Sequence, residues 1–516
     1  MSTLTSQQLL HRFLLTVSLT IISLMLTIDS TIANVALPHM RGSLGASQDQ
    51  ISWVLTSYIL ATAVMLPPSA FLANRFGRKR MLVICVIGFL ITSVLCGFAT
   101  SIEQMVVFRF LQGAFGAPTT PLIQTALLDL YSLEERGKSM SIFSFGVMMG
   151  SIFGPTLGGV LTEFYNWRWV FFVNAPLGLV ALIGVMTLKR ETARNRNLTF
   201  DAFGFIMLAM SIAALQLGLD RGESQNWFQS TEIIVEFVVA ALCFYTFIVH
   251  MFTYREPFLE VAIFRDRNFV AGVIFIFFAS GSMMVVMALT PTYLQTLLGM
   301  PVLTAGLLMA PRSIATLAML MLIPRLAKKI DMRLMITVGV ILSTISLYQM
   351  SHFTLEISTS EIITAGLFQG VGLALTTTPS AILLVSTLDR RYYTESSVMQ
   401  NLARSLGGSV WISIMIAAFS HNTQIFHAEL TQSVTAFRDA TQSISLPQGW
   451  DWHTAFGAAA LDNEVSRQAS GIAMFSDFSI MQWVTLLTLP LVFLFSSGNS
   501  AAFNQRRAED EMIHVD

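Results

Sequence analysis

Runs of about twenty apolar residues recur from one end of this chain to the other, each long enough to cross the hydrocarbon core of a bilayer as a helix. A helix closes its own backbone hydrogen bonds, which lipid cannot supply, so the runs predict an all-α polytopic membrane protein. Composition agrees. Of the 516 residues 54% are hydrophobic and 12% charged, against roughly 25% charged in a soluble protein. The formal net charge is −1, so the distribution of charge says more than its sum. Cys85, Cys96 and Cys243 all fall inside apolar runs, with neither a disulfide framework nor a metal spacing, and read as small hydrophobes. The first run leads into Pro38-His-Met-Arg41 rather than a small-residue cleavage site, which reads as a retained span.

Fourteen spans are predicted, at 13–37, 51–73, 81–99, 104–128, 139–162, 169–188, 202–219, 231–252, 268–291, 302–325, 333–351, 361–386, 394–419 and 479–498. Lys and Arg collect on the cytoplasmic side of a membrane protein, and this fixes the phase. With a cytoplasmic N-terminus, 22 of the 30 Lys and Arg fall in the N-terminal segment, the even-numbered loops and the C-terminal tail. Five fall in the odd-numbered loops, and Arg109, Arg312 and Arg404 lie at membrane depth. Both termini are therefore expected in the cytoplasm.

The chain also repeats itself. Leu72-Ala-Asn-Arg after the second span returns as Leu326-Ala-Lys-Lys after the tenth, an offset of 254. Gln112-Gly113 with Thr119-Thr-Pro121 in the fourth span returns as Gln369-Gly370 with Thr377-Thr-Pro379 in the twelfth, near offset 257. The matches predict parallel six-span halves at 1–190 and 266–516, with two spans inserted at 191–265 and a long outer loop at about 420–478. Parallel halves that meet around a midplane site are a transporter architecture.

One residue stands out against this background. Asp29 lies inside the first apolar run, where a carboxylate costs roughly 2.5–3.5 kcal/mol and normally faces the bundle interior in a functional role. The alternative is a structural polar residue anchoring the outer end of span 1 before Pro38. Arg109 begins a few residues into span 4, and at about 1.5 Å of rise per residue its depth is compatible with that of Asp29. It either tunes Asp29 or snorkels to the outer headgroups.

Several segments resemble the major facilitator superfamily. They are the basic loop after span 2, Arg109-x-x-Gln112-Gly113, and the span-5 glycine pattern Gly150-x-x-x-Gly154-Pro155-x-x-Gly158-Gly159, which is similar to that of its antiporters. Ile28-Asp29-Ser-Thr31-Ile-x-Asn34-Val-Ala-Leu-Pro38, the segment Trp167 to Gly178 and Phe200-Asp-Ala-Phe-Gly204 resemble its 14-span drug:proton antiporter branch, the EmrB/QacA type. The resemblance covers nearly the whole chain and implies a 6+2+6 major facilitator fold. It implies proton coupling at Asp29 and Arg109, and a substrate cavity that includes Asp29, Asn34 and Gln112. Met148, Met149 and Phe153 are candidates for adaptable apolar lining. It also implies that Gly150, Gly154, Pro155, Gly158 and Gly159 seal the contact between the halves where span 5 meets span 10. Asn74, Arg75, Gly77, Arg78 and Asp129 form the expected cytoplasmic gate. The family's loop usually carries Gly and Asp where this chain has Ala70 and Asn74, so Asp129 is the substitute anion. Arg404, near the start of span 13, reads equally as a snorkelling cation. Glu395 reads as a solvated loop residue, and Glu236 as a peripheral acid.

Enzyme classes find little support. Gly137-Lys138-Ser139 mimics the end of a phosphate-binding loop, but Ser132 stands where its first glycine is required. A membrane-embedded enzyme or a scaffold would leave the repeat and the span-5 glycines unexplained. The reading is a proton-driven multidrug exporter without a cofactor, in a bacterial inner membrane. Export of a dedicated metabolite such as a siderophore or lipid is the alternative. The outer loop implies either docking of a periplasmic adaptor and outer-membrane channel of the EmrA/TolC type, or an amphipathic lid.

Overall fold

The computed structural model describes residues 6–46, 48–131, 135–186, 200–254, 257, 259–433 and 454–496. The two termini and the linker at 187–199 lie outside the described residues. The described chain is almost wholly helical. In order the helices are α1 (Ser6–Leu44), α2 (Gln48–Met65), α3 (Ser69–Phe76), α4 (Arg78–Phe98), α5 (Ile102–Gly116) and α6 (Thr119–Leu130). They continue with α7 (Arg136–Phe164), α8 (Trp169–Phe172), α9 (Asn174–Met186), α10 (Ala202–Arg221), α11 (Thr231–Thr253) and α12 (Arg267–Thr292). The last are α13 (Val302–Leu326), α14 (Met332–Ser351), α15 (Thr359–Val385), α16 (Tyr393–Ser433), α17 (Ala455–Leu486) and α18 (Leu489–Val492).

Among the described residues, eleven helices are long and apolar enough to cross a membrane, and the bent pair α2/α3 makes twelve. That pair turns by 58° where Pro67 and Pro68 remove two backbone donors. Ala117-Pro118 interrupts α5/α6 in the same way. α5/α6 and α7 form where the fourth and fifth spans are expected but are not among the eleven. Helices α1 to α9 pack chiefly on one another, as do α12 to α18. α10 and α11 pack together, and α10 leans on α2 and α16. Asp201 explains the Phe200–Gly204 signature. Its carboxylate accepts the Gly204 N–H to cap α10 and meets His250 Nε2 of α11 at 2.8 Å.

The span-5 glycines do a different job from the one expected of them. Gly150 and Gly154 face α1, not the other half. A Cβ on Gly150 would lie 2.7 Å from Thr27 Cβ and 2.8 Å from the Leu24 carbonyl oxygen, and one on Gly154 would collide with Thr31. Gly158 is buried, while Gly159 faces open space and Pro155 is a residue whose side chain is not described. The contact between the halves uses another face of α7, which packs on α13 and α15. The glycines thus hold α1 close to α7 and fix the depth and rotation of Asp29.

The expected outer loop is also corrected. α16 continues to Ser433, and α17 begins at Ala455, well before the expected 479. The arms pair through His427 Nε2 and Asp462 Oδ1 at 3.1 Å, and Arg467 donates to the Leu297 carbonyl and to Glu464. Apolar content ends where helices leave the lipid, so hydropathy alone truncates them. Residues 434–453 of that segment lie outside the described residues.

Gly150→Ala forces α1 and α7 apart and is expected to lower stability in detergent by about 1–3 kcal/mol. Gly159→Ala meets no neighbour, so thermal unfolding should show it unchanged or slightly stabilised.

Candidate functional site

Asp29 is completely buried, and the donors around it come from two other helices, α5 and α9. Its Oδ2 accepts from Arg109 on α5 at 2.9 Å. Its Oδ1 accepts from Gln112 Nε2 at 2.9 Å and from Asn174 Nδ2, at the start of α9, at 2.7 Å. Arg109 is as buried as its partner. It also donates to Gln112 Oε1 at 2.7 Å and to the Val54 carbonyl at 3.2 Å. Its guanidinium lies 4.3 Å from the Tyr58 ring centre and 5.7 Å from that of Phe171. Asn174 in turn reaches Ser93 Oγ at 3.0 Å, and Ser93 donates to the Phe171 carbonyl. The Trp167–Gly178 signature therefore wraps one side of the ion pair. A buried pair is tolerable only when its remaining polar atoms are satisfied, and here nearly all are. Removing either partner would leave an uncompensated charge in a dry site.

A cavity of about 400 Å³ opens between the halves. Leu26, Thr27 and Ser30 of α1, Tyr58 and Thr62 of α2, and Gly116, Ala117 and Thr120 near the α5/α6 break form one wall. Met284 of α12 and a stripe of α16 from Asn401 to Ile412, including Arg404, form the other. Asp29 and Gln112, expected in the cavity, are sealed behind it. Tyr58 is the shared wall, since it lines the cavity and stacks on Arg109. Met148, Met149 and Phe153 do not line it either. They sit on α7, behind α1, with Met148 buried and Phe153 exposed on the outer surface. Asn34 is a residue whose side chain is not described.

Arg404 corrects a further expectation. It is 11 residues into α16, which is about 16 Å of helix, and it lines the cavity between the halves. Arg312 is buried against the backbone around Gly366 and Gly370.

The gate residues assemble at the basic end of the bundle. Gly77 (φ 94°) closes α3 and opens α4 in one step, a backbone conformation that suits only glycine. Arg78 pairs with Asp129 of α6 at 2.5 Å, and Arg75 is engaged as well. Asn74 does not turn to Asp129. Its Nδ2 donates to Glu395 Oε1 across the halves at 2.7 Å, and Glu395 is a buried first-turn residue of α16 rather than a solvated one. An aspartate at 74 would face that carboxylate with like charge, so the departure from the family pattern has a local cause. Further bonds bridge the halves at the same end: Asn401 to Gln124 at 2.8 Å, Thr125 to Ser397 at 3.4 Å and Ser144 with Thr378 at 3.4 Å. Sequence reasoning also missed Asp477. It is fully buried on α17, where its carboxylate accepts no hydrogen bond among the described residues.

The family model of the Major Facilitator Superfamily matches residues 19–412. The multidrug export protein EmrB of Haemophilus influenzae is 33% identical over 432 residues, covering 83% of this chain and 85% of that one. The fatty acid resistance protein FarB of Neisseria gonorrhoeae is 34% identical over 424 residues, covering 82% and 83%. Among solved structures, the proton:xylose symporter XylE bound to 6-bromo-6-deoxy-D-glucose aligns with a TM-score of 0.59 at 13% identity, covering 92% of this chain and 94% of that one. The likeness extends to the fold. With a matched family model over most of its length and EmrB-like relatives across more than four-fifths of it, the chain belongs to the major facilitator superfamily.

Proposed function

We propose that this multi-pass protein of the bacterial inner membrane is a proton-driven exporter of amphiphilic compounds, a multidrug efflux transporter. The observation that carries the reading is the sealed Asp29–Arg109 pair, one aromatic ring away from the cavity between the halves. A proton arriving on Asp29 removes the charge that holds Arg109, Gln112 and Asn174 in place. Arg109 then loses its counter-ion and turns toward Tyr58, and the cavity wall rearranges. A ligand or proton shifts an alternating-access equilibrium only through different affinities for the two states. This pair supplies such a difference, because it can form only when Asp29 is ionised. No cofactor is required, since the proton gradient does the work. The EmrB relatives support export as the direction.

The bonds between the halves at the basic end support an outward-facing conformation, with the cytoplasmic gate shut. The gate joins neutral amide and hydroxyl groups around a single carboxylate, which makes it cheap to break. The polar outer arms of α16 and α17 are suited to dock a periplasmic adaptor, which would pass substrate to an outer-membrane channel. Deleting residues 430–470 should then abolish co-purification with an adaptor while the transport core still folds.

In proteoliposomes with an imposed pH gradient, Asp29→Asn should lose uphill transport. Wild-type rates in that variant would end the proton-carrier assignment. Arg109→Ala leaves Asp29 buried and unpaired, and should cost about 3–5 kcal/mol of stability together with transport. Asn74→Asp faces Glu395 with like charge and should open the cytoplasmic gate. The readout is faster labelling of a cysteine placed at Thr125 by a membrane-impermeant thiol reagent from the cytoplasmic side.

A further inference from the structure

Among the described residues, Arg404 is the only charged side chain that lines the central cavity. It is partly buried and makes no ion pair or hydrogen bond among the described residues. Its nearest company in the lining is polar but neutral: Asn401, Ser405, Ser409, Thr120 and Ser30. Gly408, also in the lining, keeps the turn after Arg404 free of bulk and packs toward Met284. No carboxylate among the described residues forms an ion pair with this cation. Asp29 is held by Arg109, Gln112 and Asn174, and Glu395 by Asn74. A lone guanidinium at membrane depth is costly without a counter-ion and repels cations that enter its low-dielectric cavity. Its planar fork matches a carboxylate through two parallel hydrogen bonds. Leu26, Leu66, Met284 and Ile412 offer apolar surface on the same lining.

We propose that Arg404 sets the charge selectivity of the cavity, which takes amphiphilic anions, with a carboxylate head on Arg404 and an apolar tail along Leu26, Leu66, Met284 and Ile412. The inference deepens the exporter reading and rests on the same cavity, but it concerns binding and not the driving force. It also gives the Arg404-x-x-Gly407-Gly408 motif a role: Gly407 brings α16 against the Phe277 carbonyl of α12, and Gly408 lets the apolar Met284 side chain pack close beside the cavity.

The test measures binding to the detergent-solubilised full chain at fixed pH, with no gradient. The probes are decanoate, decyltrimethylammonium and decanol. Wild type should bind decanoate at least about ten-fold tighter than the ammonium of equal chain length. Arg404→Gln should bring decanoate down to the affinity of decanol, and Arg404→Lys should recover most of the preference. Equal or tighter binding of the ammonium by wild type overturns the assignment, and that comparison needs no variant to fold. Retention of the decanoate preference in Arg404→Gln overturns it equally. Loss of pH-driven transport with the decanoate preference intact would instead count against the exporter reading alone, so the two failures are distinguishable.

Discussion

The ion pair between Asp29 and Arg109 is the constraint around which the N-terminal half is arranged. Neither charge could remain in this dry site without the other. α1 has to present Asp29 at one depth and one rotation, and α5 has to present Arg109 and Gln112 opposite it. α9 must begin where Asn174 can reach the same carboxylate, and the Val54 carbonyl and Tyr58 ring of α2 enclose the guanidinium. The glycines of α7 serve that placement, because their missing side chains let α1 approach until its backbone nearly touches. The pair is therefore a fastening, and in the proposed cycle it is also the sensor. The bonds that hold four helices together depend on the ionisation of one carboxyl group.

The contacts between the halves have the opposite character. At the basic end they are amide and hydroxyl bonds around Glu395, individually worth about 0.5–1.5 kcal/mol, and farther along lies a cavity where the two walls do not meet. A rigid, charge-locked half set against a weakly latched interface is what rocking motion about a central site requires. Tyr58 joins the two regimes, since one face of its ring meets the pair and its side chain also borders the cavity.

Depth along a helix was legible in the sequence, and rotation about its axis was not. Counting residues from the ends of apolar runs was enough to bring Asp29 and Arg109 to one level, and the glycine spacing of four announced a close helix contact. The rotations that send Asp29 and Gln112 behind the cavity wall, and Met148 and Phe153 away from it, depend on which neighbour each helix faces. Nothing local in the sequence carries that information. Asn174 had a usable signal, an amide inside an apolar run just before Pro176, but one shared with ordinary helix starts. Arg404 and Glu395 were misread because the first turns of α16 were assumed to lie in water, whereas α3 and α6 cover them. The outer arms were missed for the converse reason, since a helix that leaves the membrane loses its hydropathic mark but keeps its hydrogen bonds.

The central claim is that one carboxyl group, Asp29, exchanges a proton as the cavity fills. Proton release on adding substrate to the solubilised protein in weakly buffered solution tests this directly. The wild type is expected to release up to about one proton per chain, and Asp29→Asn none. Equal release from the two proteins would contradict the account.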